Sequence, residues 1–416
     1  MDLVCEAARS RPATNPLPGD QTLRCPMKLA YFVHDLADAA VHRRVRMLRD
    51  SAEITLLGFH RSDTFPRDLD GIRTVSLGRT VDARLAQRAA MVTRALVGLS
   101  SWRHHLDGST IFLARQLEML VLAAWARQRV APRAPLVFEC LDIHRLMLTA
   151  NPVGAGLRLL EGGLLRVCSL LLVSSPAFFR HHFARYGAAL PPHLLVENKV
   201  VAKDVPPPLL AAIAAIRAGG PPPGPPWRVG WFGMIRCRRS LDLLARLARA
   251  LPGQVEVVIR GRPRRDVIPD FDAIVLQVPG LSFRGQYDRH TDLPAIYGEV
   301  HFTWAADFFE AGQNSAWLLP NRLYEGTLYG AVPLVPASVE TGRWLQERRC
   351  GVLLDGLDDV QFFQSLVTWF RDLDSGGYRA ARAALARVPL ADVLDDPPSC
   401  RRFGDVLNDL RRGGPQ

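Results

Sequence analysis

The feature that most constrains this chain is an alternation of apolar and amphipathic segments that runs twice, with a proline-rich break between the two runs. In the first run, residues 28–33 (KLAYFV), 53–59, 72–77, 111–114, 135–141 (PLVFECL), 170–174 and 194–196 are short apolar stretches that read as buried strands. Segments with helical spacing lie between them at 38–49, 82–104, 116–128, 157–166 and 176–186. Strands that alternate with helices imply a parallel sheet covered on both faces. Residues 205–227 then hold PPP and AGGPPPGPP, a composition suited to a linker. The alternation restarts with strands at 228–232, 255–260, 274–277, 281–284, 300–304 and 332–335. Its helices fall at 240–250, 293–297, 320–329, 342–348, 360–372, 377–386 and 400–411. The expected class is α/β: two Rossmann-like, doubly wound parallel-sheet domains facing an interdomain cleft. The boundaries are a disordered lead (1–26), a first domain (27–204), a linker (205–227), a second domain (228–390) and a helical tail (391–416). Met27 opens the first strand and marks an alternative start.

Charge separates the two domains. The chain carries a net +11, with only three lysines (Lys28, Lys199, Lys203) among 52 basic residues. An arginine-rich codon bias accounts for most of this. Residues 27–200 nevertheless hold 23 basic and 14 acidic side chains, whereas 201–416 is nearly balanced. The first domain should therefore favour an anionic partner. Its basic helices (Arg43, Arg44, Arg46, Arg49; Arg84, Arg88, Arg94, Arg103) carry apolar residues between the charges, which suits either packing on the sheet or docking on an anionic membrane. Seven scattered cysteines with no CxxC spacing read as reduced thiols, a cytoplasmic usage. No uncharged stretch exceeds 14 residues, short of the ~20 that span a bilayer.

The chemistry-bearing motifs are few. No Walker loop, GxGxxG, HExxH or GxSxG occurs, and three DxD patterns (68–70, 270–272, 372–374) do not end clean apolar strands. No metal site is expected. In residues 302–336, Glu325 sits one turn into a helix that begins at Pro320 and Asn321 and stops at Gly330. A helix N-terminus offers unpaired N–H groups to phosphate, and a carboxylate can accept both hydroxyls of a ribose.

The run Asn321-Arg322-Leu323-Tyr324-Glu325-Gly326 through Gly330-Ala331-Val332-Pro333 resembles the nucleotide-sugar signature of GT-B glycosyltransferases. Residues 231–240 (WFGMIRCRRS) resemble the glycine loop of that family. With HDLADAAVHRRVRML and FECLDIH, they are similar to bacterial exopolysaccharide glycosyltransferases of the succinoglycan-biosynthesis type.

The resemblance implies that Glu325 holds the donor ribose, and that Asn321, Arg322 and the helix N-terminus face the diphosphate. Gly233 would let backbone approach the phosphates, and Arg236 or Arg238 would neutralise the leaving group, with no metal or other cofactor. The E-x7-E spacing of retaining relatives is broken by Trp317, and Asp307 and Glu310 lie outside that register.

In the first domain Asp142 and His144 end a strand and should face the cleft, Asp142 as general base. His34 and Asp35 are the rival pair. Asn198, Ser174, Ser175 and Pro176 read as structural. The implied partners are a nucleotide-sugar donor, a polyprenyl-diphosphate-linked saccharide acceptor and the anionic inner face of the cell membrane. Two alternatives stay open: a nucleotide-sugar 2-epimerase of the same architecture, and a basic nucleic-acid-binding protein. The latter lacks an aromatic-interleaved basic strand.

Overall fold

A computed structural model describes residues 27–61, 68–69, 71–80, 85–356 and 358–413. The expected lead, Arg84 and the side chain of Arg88 lie outside these.

The first eight strands are β1 (Met27–Val33), β2 (Ala52–His60), β3 (Asp68–Leu69), β4 (Ile72–Arg79), β5 (Ile111–Arg115), β6 (Leu136–Cys140), β7 (Leu170–Val173) and β8 (His193–Leu195). They form one sheet in the order β3-β4-β2-β1-β5-β6-β7-β8, parallel except for β3 against β4. Period-2 alternation sends Ala30, Phe32, Phe112 and Phe138 to one core, and Leu29, Tyr31, Leu113 and Val137 to the other. Helix starts follow local capping: Asp38, Asn151 and Ser175 each accept a backbone N–H from the first turn they precede.

After β9 (Val200–Val201), a second parallel sheet contains β10 (Trp227–Ile235), β11 (Val255–Pro263), β12 (Leu281–Phe283), β13 (Phe302–Trp304), β14 (Val332–Pro336) and β15 (Val352–Leu354). Its order is β12-β11-β10-β13-β14-β15. Both sheets place β1 or β10 centrally, where the strand order reverses, so loops at their carboxyl ends open onto a crevice.

Three segments differ from the sequence reading. Residues 205–227 are not an open linker throughout: Pro207–Ala211 and Ile213–Ala218 are short helices, and buried Ile213 joins the second domain's core. Proline is tolerated here because it occupies the first turn of a helix. Residues 274–277, whose apolar run suggests a strand, end the helix Phe271–Gln277, whose Phe271 is buried on the second sheet. The C-terminal segment is not a detached tail. β16 (Leu394–Asp395) pairs in parallel with β9, and the Pro397–Arg411 helix inserts Cys400, Phe403 and Leu407 into the first domain's core.

Candidate donor and acceptor site

The second domain's half of the site starts at the end of β10. Gly233 has φ +108°, and a Cβ there would lie 3.9 Å from the Tyr287 hydroxyl. Beside it, Gly261 (φ +127°) has no room for a side chain at all, because a Cβ would sit 1.9 Å from the Gly233 carbonyl oxygen. Glycine at both positions lets two strand ends run in close contact while backbone stays open to the crevice.

The Asn321–Tyr329 helix packs beneath this turn, closed at Gly330 in the left-handed conformation. Glu325 is 4% exposed. Its Oε1 accepts from Arg289 Nη2 at 2.6 Å and its Oε2 from the Tyr297 hydroxyl at 3.1 Å. Tyr297 is itself fixed edge-on to Phe232. An ionised carboxylate has about four acceptor positions, so these two bonds leave capacity for a diol. Arg322 reaches back to the carbonyls of Phe232 (3.4 Å) and Ala306 (3.3 Å) and lies 4.0 Å from Asp307. Asn321 accepts a hydrogen bond from Arg43 of the first domain at 3.0 Å.

The two arginines after β10 diverge. Arg236 is exposed and lies over the Phe309 ring at 4.5 Å. Arg238 is held bidentately by Asp242 (2.9 and 3.0 Å) and Asp270 (2.7 and 3.0 Å). These ion pairs face a groove lined by Arg246, Ile274 and Asp359, so the expectation that Arg238 neutralises a leaving group is corrected. The same pairing accounts for one DxD pattern, since Asp272 is in turn bidentate to Arg265. Among the described residues no group of three or more His, Cys, Asp or Glu side chains is placed to hold a metal ion.

In the first domain Asp142 stands exposed just past β6, and its Oδ1 accepts from Gln116 Nε2 at 2.5 Å. Across the cleft, Glu310 lies on the loop after β13. Burial and the Asp142 carboxylate push the Glu310 carboxyl up, against Arg236 and Arg145, so these four side chains share one electrostatic field. His144 Nδ1 accepts from Leu146 N at 3.3 Å and so starts a short 3-10 turn.

The rival pair separates. Asp35 is buried, accepts from Ala37 N and pairs with Arg61 at 3.1 Å. His34 instead pairs with Asp38 at 3.3 Å. Burial opposes charge on Asp38, yet the His34 contact, the Arg115 charge and the Ala40 N–H together outweigh it and hold that carboxyl well below its usual range. Of the residues expected to be structural, Ser175 joins the two domains, its Oγ donating to Trp317 O at 2.5 Å, whereas Asn198 O accepts from Arg43 within the first domain.

Arg289, Tyr287, Tyr297 and Arg43 went unrecognised in the sequence. Tyr287 and Arg289 had one available signal, their position just after a strand of a parallel sheet.

No family model matches the chain. The succinoglycan biosynthesis protein ExoL of Rhizobium meliloti (strain 1021) is 42% identical over 391 residues, covering 94% of this chain and 95% of that protein. The chain belongs to the ExoL family. Among solved structures, this ExoL-family chain is similar to sucrose-phosphate synthase from Thermosynechococcus elongatus (TM-score 0.70, 13% identity, 93% of this chain and 100% of that one). Anabaena HepE in complex with UDP and glucose superposes at TM-score 0.64 with 16% identity, over 92% of this chain and 100% of that one. The lipopolysaccharide glycosyltransferase WaaG follows at 0.57 with 11% identity, over 91% and 99%. At such identities the likeness establishes the GT-B fold for this ExoL-family chain.

Proposed function

We propose that the protein is a glycosyltransferase of exopolysaccharide biosynthesis that moves a hexose from a UDP-sugar to a saccharide carried on a polyprenyl diphosphate. The observation that carries this reading is the buried Glu325 on the helix beneath Gly233, in a chain that shares 42% identity with ExoL over nearly its full length. Glu325 accepts the ribose hydroxyls on the lone pairs that Arg289 and Tyr297 leave free. The N-terminus of the same helix, with Asn321 and Arg322, faces the diphosphate, and Gly233 lets backbone come close.

The chemistry demands a base on one side and charge neutralisation on the other. Asp142 takes the proton from an acceptor hydroxyl as its oxygen forms a bond to the anomeric carbon. The bond from that carbon to the phosphate oxygen breaks, and the UDP that leaves carries the new negative charge. Arg236 and the helix N-terminus stabilise it without a resident metal. The rival candidate for the same proton is His34, which pairs with Asp38 at the end of β1.

The acceptor side is the basic first domain. Arg43 and Arg44, each 3% exposed, face inward and take no part in a lipid contact. A groove lined by Leu96, Val97, Leu99, Arg103, Trp125 and Arg129 supports docking at the cytoplasmic face of the membrane. Each basic residue near an anionic leaflet contributes on the order of 1 kcal/mol. No helix among the described residues is long and apolar enough to cross a membrane.

The test is calorimetry with UDP on wild type and Glu325→Ala, followed by turnover of UDP-sugars on a lipid-linked acceptor with and without excess chelator. The reading requires a weaker affinity, by tenfold or more, in the variant. Unchanged affinity would remove Glu325 from the site, and sugar isomerised without acceptor would identify an epimerase.

A further inference from the structure

The Ala39–Leu48 helix presses one arginine of the first domain against the second. Arg43 is 3% exposed, and its Nη1 donates to Asn198 O at 3.2 Å and to Asn321 Oδ1 at 3.0 Å. Its Nε and Nη2 are buried with no hydrogen-bond partner. A buried donor left unpaired forfeits its hydration, and the cost is larger for a charged group. Asn321 is the first residue of a nine-residue helix whose start no side chain caps. An unsatisfied guanidinium and an uncapped helix N-terminus therefore meet at one point, from opposite domains.

Much of the surrounding negative charge is suppressed or committed elsewhere: burial pushes up the carboxyl of Asp395, which lies in the field of Lys199, Arg44 and Arg43. Glu325 is engaged by Arg289, Asp204 by Arg46 at 3.0 Å, and the neighbouring Arg44 by Glu139. Burial and the nearby Arg289 depress the Arg43 guanidinium to about 9, although Glu325 and Asp204 oppose them. A dianionic group would reverse this imbalance, and two free N–H vectors in one plane match two oxygens of a phosphate.

We propose that Arg43 binds the diphosphate of the nucleotide-sugar donor, so that the first domain supplies a cation to a leaving group held by the second. The inference rests on the glycosyltransferase reading above and extends it to a residue outside the signature motif. Because the arginine and the helix stand on different domains, donor binding favours the approached arrangement of the two. Nucleotide diphosphate thereby acts as a bridge.

The experiment compares UDP with uridine, titrated by NMR into wild type, Arg43→Gln and Arg43→Lys, with melting temperature recorded for each. Arg43→Gln is expected to lower UDP affinity tenfold or more and to leave uridine affinity within twofold; Arg43→Lys should fall between. If both ligands weaken equally, Arg43 is only a strut between domains and the proposal is overturned. If Arg43→Gln does not fold, the UDP-to-uridine ratio of Arg43→Lys decides, and a ratio equal to wild type overturns it. Wild type that binds no UDP would instead refute the donor reading itself.

Discussion

Glu139 anchors the first domain's interior, and its removal gives a quantitative test of how that interior is held. The carboxylate is 1% exposed and accepts from the Tyr31 hydroxyl at 2.6 Å, Arg44 Nε at 2.6 Å and Arg115 Nε at 2.9 Å. Arg115 also donates to the carbonyl of Ala40, so one cluster ties β1, β5 and β6 to the Ala39–Leu48 helix. Burial alone would raise the Glu139 carboxyl, but the charges of Arg115 and Arg44 and the Tyr31 hydrogen bond bring it down to about 2 from 4.5. That difference corresponds to about 3 kcal/mol of stability. Glu139→Gln strands two buried guanidiniums, and breaking such a pair costs roughly 3–5 kcal/mol.

The sign follows from linkage. A carboxyl depressed in the folded state contributes fully above its unfolded value and loses that contribution as pH falls toward the folded one. Urea unfolding of wild type and Glu139→Gln should thus differ by about 3 kcal/mol at pH 7 and by about half of that near pH 3. Melting at pH 7 should drop by about 10 °C for a domain of this size. Adding Arg115→Met to Glu139→Gln should recover part of the loss, since it removes an uncompensated charge. A difference below about 1 kcal/mol at pH 7, or one that does not shrink with acid, refutes the reasoning.

Asp142→Asn should abolish turnover while leaving UDP affinity unchanged; near-normal turnover would pass the role to His34, whose replacement by alanine would then be inactivating. Replacing Arg103 and Arg129 by glutamate should abolish sedimentation with anionic vesicles and spare transfer to a water-soluble acceptor, and unaltered sedimentation would rule out that face.

The double alternation of strand and helix was plain in the sequence because strand burial is local: KLAYFV and PLVFECL are apolar whatever they pack against. The motif around Glu325 was equally plain, since a proline at the start, a carboxylate and a terminating glycine occupy fixed offsets on one helix. What escaped depends on partners distant in the chain. Arg43 and Arg44 look like surface charges until Glu139 and Asn321, 95 and 278 residues away, arrive to receive them. Arg238 looked available because Asp270 belongs to another element. The proline-rich stretch hid two short helices, and the C-terminal helix gave no hint that its apolar face belongs to the first domain.

That returning helix has a mechanical consequence. The polypeptide passes between the domains twice, near β9 and near β16, and the two passages are stitched side by side by backbone hydrogen bonds. A single flexible connection would let the halves swivel about every axis, whereas two adjacent ones resist torsion and permit chiefly bending about their common line. A double crossing of this kind restricts relative movement of the domains to a hinge, with Arg43 and Asn321 in contact across it.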